Sequence, residues 1–172
     1  FFLGITALSG AGLVAYATAP AEGLADFNPN ATAPRYLDNC VAFSLNTNGS
    51  THESLAELAA ERHEVAWGMM YRTDLPNRSA MIFDMRGGTN VYFWMKNTPS
   101  SLDIAFFDTT GMLAHIEKST TPFSEELVGP APHIAIAHVL EVPAGKTDEL
   151  GLVPGQTTLA VGQASPCPAN FP

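Results

Sequence analysis

Positive charge is scarce in this chain. Eight Lys and Arg stand against 17 Asp and Glu, a formal net charge of −9 over 172 residues. No basic cluster exists to release counterions from phosphates, which excludes nucleic acid as a partner. Cysteine is limited to two residues, and no Cys-x-x-Cys or His-x-x-x-His spacing occurs, so no metal centre is predicted and no cofactor is called for. No Gly-x-Ser-x-Gly elbow is present, and His52, His63, His115, His133 and His138 are scattered, which argues against a hydrolase triad. A long uncharged apolar run occurs only at the N-terminus, so a polytopic helical membrane protein is excluded. What is present is apolar: 46% of residues are hydrophobic and only 15% charged, which excludes a disordered chain.

Residues 1–21 carry no charge and end in Ala17-Thr18-Ala19-Pro20. An apolar run closed by a small-x-small pattern predicts a signal peptide over residues 1–19, truncated at its start because the basic region is missing. A retained anchor would need about 20 strongly apolar residues, and Gly4, Gly10 and Gly12 interrupt this one. A flexible arm is expected over 20–39, a single β-rich domain over 40–163 and a Pro-rich tail over 164–172. Cys40 and Cys167 flank the domain and allow a single intramolecular pairing, so a disulfide clasping both ends is preferred over two free thiols. These features predict an exported protein, periplasmic or extracellular, free of the membrane after cleavage.

Along the domain, Val41–Leu45 reads as a strand closed by the turn cluster Asn46-Thr47-Asn48-Gly49-Ser50. Residues 54–71 look helical by propensity and spacing. Met81–Met85, Val91–Lys96, Leu102–Phe107 and Met112–Glu117 follow as strands with turns between them, Gly87-Gly88 among these, which predicts a β-meander. Residues 120–132 form a loop, Ile134–Val142 is a core strand, Lys146–Leu150 a helical turn and Thr157–Val161 a last strand.

Three segments carry a family resemblance: Gly68-Met69-Met70-Tyr71-Arg72 with Leu75-Pro76, then Phe93-Trp94-Met95-Lys96-Asn97-Thr98 with Leu102-Asp103-Ile104-Ala105-Phe106, then Val139-Leu140-Glu141-Val142 with Ala144-Gly145. In order and spacing this chain resembles the domain of unknown function 192 family over residues 54–161. The resemblance implies a mainly β fold, an antiparallel β sandwich or open barrel with one principal helix and a short C-terminal helical turn, often exported. It implies no activity. It also implies a strand at 54–59 and a helix only from about Ala60, against local propensity. Val65 stands where the family usually has Arg, and Ser100-Ser101 where it has Ile-Pro.

Side chains alternate across a strand, which divides Tyr92, Trp94 and Lys96 from Val91, Phe93 and Met95. A hairpin through Pro99-Ser100 would set Lys96 opposite Asp103 and Trp94 opposite Ala105. Glu141 interrupts an apolar strand and needs water, a cation or a proton; Lys96 is the simplest cation to offer. Trp94, Lys96, Asn97, Asp103 and Glu141 are therefore the candidate ligand-binding residues, with no catalytic residue assigned. The preferred reading is a non-enzymatic module binding a small polar ligand or an envelope component. A carbohydrate-active or other hydrolytic enzyme using Asp103 and Glu141 is the first alternative. A structural or interaction domain, whose ion pairs only fix strand register, is the second. The six Met read as core filling.

Overall fold

The computed structural model describes residues 36–73 and 75–171; the expected signal peptide and most of the expected arm lie outside them. Seven strands form one mixed sheet: β1 (Asn39–Thr47), β2 (Ser50–Ala59), β3 (Met81–Gly88), β4 (Leu102–Asp108), β5 (Leu113–Glu117), β6 (Ile136–Pro143) and β7 (Thr158–Pro166). Their spatial order is β5-β4-β6-β3-β2-β1-β7. Two short helices, α1 (Arg62–Trp67) and α2 (Lys146–Glu149), complete the elements.

The fold is mainly β, as the sequence predicts, and residues 54–59 belong to a strand. Eight cross-strand pairs with β1 hold β2 extended, and alternation points Ala56 to one core and Ala59 to the other. Pairing on this scale outweighs the helical preference of Leu55-Ala56-Glu57-Leu58-Ala59. The sheet is not wholly antiparallel, because β2 and β3 run parallel. A parallel pair requires a crossover, and α1 with residues 68–80 supplies it. The predicted principal helix is only six residues long. Glu64 receives the Ala60 and Glu61 N–H groups at its start (3.0 and 2.9 Å). Gly68 ends it at φ +51°, where an added Cβ would stand 3.2 Å from the Phe83 ring.

Other expectations are corrected. β6 inserts between β3 and β4, so of the predicted meander only the β4–β5 hairpin forms. Gly87-Gly88 is the irregular end of β3 facing a register shift against β6, not a hairpin turn. Residues 91–98 join no ladder beyond an isolated Phe93–Val128 bridge. Both sides of β4 are already occupied, by β5 and by β6, which leaves no edge for the predicted hairpin. The 91–98 segment lies instead against the 123–128 loop, with Met95 N–H donating to the Ser124 carbonyl (2.8 Å).

The sheet's two faces carry separate cores. One contains Phe43, Leu45, Ile82, Phe107, Leu113 and Leu159. It includes residues from both edge strands, so it fills the inside of a curled sheet. The edges meet at one end through a Met112–Thr158 bridge, but the sheet does not close into a barrel. The other core contains Met81, Phe83, Ile104, Phe106 and Val139. It is roofed by α1, the Met69–Met70 turn and the 91–98 segment. Cys40 and Cys167 form a disulfide (Cα–Cα 4.8 Å). β7 continues to Pro166, paired with Asn39, so the strand runs past the predicted domain end at 163.

Candidate functional site

The roofed face gathers three buried ionisable side chains, Glu57, Arg72 and Glu141. Glu57 on β2 and Glu141 on β6 both pair in register with Met81 on β3, which places the two acids on the same face. Arg72, from the turn after α1, is the cation beside them. Its Nη1 and Nη2 grip the two Glu57 oxygens, the latter at 2.9 Å. Glu57 Oε2 also accepts the Leu37 N–H (2.7 Å), and the Tyr36 ring lies 4.9 Å from the guanidinium carbon. Glu57 is thus fully committed.

Glu141 is not. It is 4% exposed, and burial pushes its carboxyl up to about 8 although the Arg72 charge and the Met69 N–H favour the anion. Glu141 therefore carries a proton at neutral pH. Its Oε2 has no hydrogen-bond partner among the described residues. Gly68 makes the space above it: a Cβ there would come within 3.6 Å of that oxygen. Glu141, Phe93, Thr98 and both tryptophans, Trp67 and Trp94, border a cavity of about 30 Å³. Trp67, Gly68 and Met70 also line an adjoining groove of about 340 Å³ that runs past Tyr36, His63 and Arg72.

The structure joins Trp94 to Glu141 and separates the rest of the predicted set. Lys96 lies at the surface, pairing with Glu125 (3.6 Å) and standing 5.0 Å over the Trp94 ring; it is not the partner of Glu141 or Asp103. Asn97 turns the chain at φ +56°, and its carbonyl accepts the Tyr71 N–H (2.7 Å). Asp103 pairs with Val142, one residue from Glu141, so the two carboxylates point to opposite faces of the sheet. Asp103 is fully buried, and both its oxygens are taken, Oδ1 by Ser119 N–H (2.8 Å) and Oδ2 by the Thr147 N–H and hydroxyl (3.0 and 2.7 Å). Burial raises its affinity for a proton, but these bonds prevail and hold the carboxyl below its usual range. A hydrolase built on Asp103 with Glu141 is excluded by this geometry. Among the described residues no group of three or more metal-ligating side chains comes together.

Arg72 and Glu57 are not among the candidate residues that the sequence offers. Arg72 stands in the Gly68–Arg72 motif, and a lone Arg within an apolar turn is a signal for a buried acid partner. Glu57 gave no such signal while its segment read as an amphipathic helix.

A structure from Sinorhizobium meliloti 1021, described as that of a candidate transcription regulator, is similar at 32% identity and TM-score 0.66, covering 74% of this chain and 98% of that one. A protein of unknown function from Novosphingobium aromaticivorans DSM 12444 is similar at 28% identity and TM-score 0.64, covering 88% of this chain and 99% of that one. No curated protein matches. The family model of DUF192, described as Uncharacterized ACR, matches residues 43–159, and the chain belongs to that family.

Proposed function

We propose that this chain is an exported, non-enzymatic module that binds a small polar ligand on the Glu141 face of its sheet. One observation carries the reading: the buried Glu141 Oε2 lacks a hydrogen-bond partner among the described residues, and Glu141 borders a cavity also lined by Trp67 and Trp94. A buried polar atom left unpaired costs about 1–3 kcal/mol, which a ligand hydroxyl or amide would recover. A protonated carboxyl both donates and accepts, and the indoles add flat apolar walls. The cavity of about 30 Å³ suits one polar group. The ligand's body would lie in the groove along Tyr36, His63 and Trp67. The N-terminal apolar run and the disulfide support export. The role described for the Sinorhizobium protein is not carried over, because a chain of charge −9 without a basic cluster is poorly suited to phosphates.

Trp67 and Trp94 are the only tryptophans in the chain, so their emission reports on this site alone. A fluorescence and thermal-shift screen of sugars, amino acids and nucleotides should find one class that gives a saturable response. Glu141→Met and Trp94→Leu should abolish it while cooperative unfolding persists. The closed Arg72–Glu57 pair favours a purely structural reading of the same face. That reading predicts altered stability in Glu141→Met and no ligand response in the parent protein.

A further inference from the structure

The opposite face of the sheet holds a second cavity, of about 400 Å³, between the β1–β2 hairpin, the 77–80 loop and α2. Its floor is apolar: Phe43, Leu45, Val142 and Leu150 belong to the inner core or pack against it. Its rim is polar. Arg78 and Lys146 supply two of the chain's eight Lys and Arg, His52 adds a titratable ring, and Glu53 is the acid among the lining residues. Lys146 is bonded to Glu149 (2.7 Å), which leaves Arg78, exposed at the mouth, as the cation available to a guest. Beside it Ser79 is 3% exposed, and its hydroxyl has no hydrogen-bond partner among the described residues. A buried, unpaired hydroxyl in the lining of a pocket with an apolar floor, with an exposed arginine as its chain neighbour, is an arrangement suited to a polar head group above an apolar tail.

We propose that this cavity is a second ligand site, one that takes a small amphipathic carboxylate with its chain against Phe43, Val142 and Leu150 and its head group on Ser79 and Arg78. This goes beyond the Glu141 reading, since the two sites lie on different faces and share no lining residue.

Octanoate below its micellar concentration is the probe, with octanol and inorganic phosphate as controls, followed by thermal shift and by amide chemical shifts of the labelled full chain. Octanoate should raise the Tm and move the Ser79, Phe43 and Val142 amides, while octanol and phosphate each do so more weakly. Arg78→Gln, at an exposed position that leaves packing alone, should weaken octanoate by about tenfold or more, the usual worth of a charge-assisted hydrogen bond. Ser79→Ala should weaken it by a smaller factor. Equal responses to octanol and octanoate would overturn the proposal, as would undiminished binding by Arg78→Gln. Shifts confined to the Tyr36–Trp67 groove would overturn it too, and would assign the carboxylate to the Glu141 face.

Discussion

Glu141 holds a proton that the unfolded chain releases, and this has a measurable consequence. Folding raises its pKa from the ordinary 4.5 to about 8, so the native state binds the extra proton between those values. Stability must then fall as pH rises through that window, by up to about 1.4 kcal/mol per pH unit, and level off above it. Glu141→Gln removes the titration while keeping shape and hydrogen bonding. Its stability should be flatter across the window and should gain on the parent protein toward the alkaline end; urea unfolding at about pH 5 and about pH 8 checks this, and a constant difference between the two proteins contradicts it. Glu141 was legible in the sequence as an acid stranded in an apolar strand. Its surroundings were only half legible. Trp94 is beside it, but the cation is Arg72, brought in by a crossover that no local pattern announces. Lys96, the nearest cation in the recognised motif, points to solvent because Val91, Phe93 and Met95 take the inward positions of their segment.

Asp103 shows how a candidate functional residue becomes an anchor once its element is placed. It ties β4 to the start of α2 through Thr147 and to the turn at Ser119. Asp103→Asn would set an NH₂ group against one of those N–H donors, at a cost of about 2–3 kcal/mol in urea unfolding at neutral pH. Amide exchange at Thr147 and Leu150 should accelerate in step. Because folding lowers this carboxyl's pKa, its contribution is complete above the unfolded value of about 3.8 and is lost as pH falls through the folded one, so the two proteins should converge in acid. Equal stabilities at neutral pH would contradict the assignment. Strand positions were legible from alternation and turn chemistry at β1, β4 and β6. The β4–β5 hairpin was legible from its turn, but the other partners were not, because alternation in 91–98 records which face is buried and not which neighbour supplies hydrogen bonds. That segment pairs with a loop through Phe93–Val128, and β4 takes its neighbours from later in the chain.

A disulfide joins the start of β1 to the residue after β7. Cys40 and Cys167 are 127 residues apart, so their link removes loop entropy worth about 5 kcal/mol from the unfolded chain, with strain and residual structure reducing the measured value. Replacing both by Ser should lower stability by about 2–5 kcal/mol without abolishing the β-sheet circular dichroism signal; a loss below about 1 kcal/mol would show that the β1–β7 ladder alone suffices. Anchored this way, the chain entering β1 is held with Tyr36 and Leu37 over Arg72 and Glu57, at the rim of the groove that leads to Glu141. Ligand binding on this face depends on that glutamate being a neutral, buried acid with an oxygen to spare. A carbon-detected NMR titration of the Glu141 side-chain carboxyl measures this directly. The midpoint should lie near pH 8; a midpoint near the ordinary 4.5 would mean an anion satisfied by its neighbours or by solvent, and the account would be wrong.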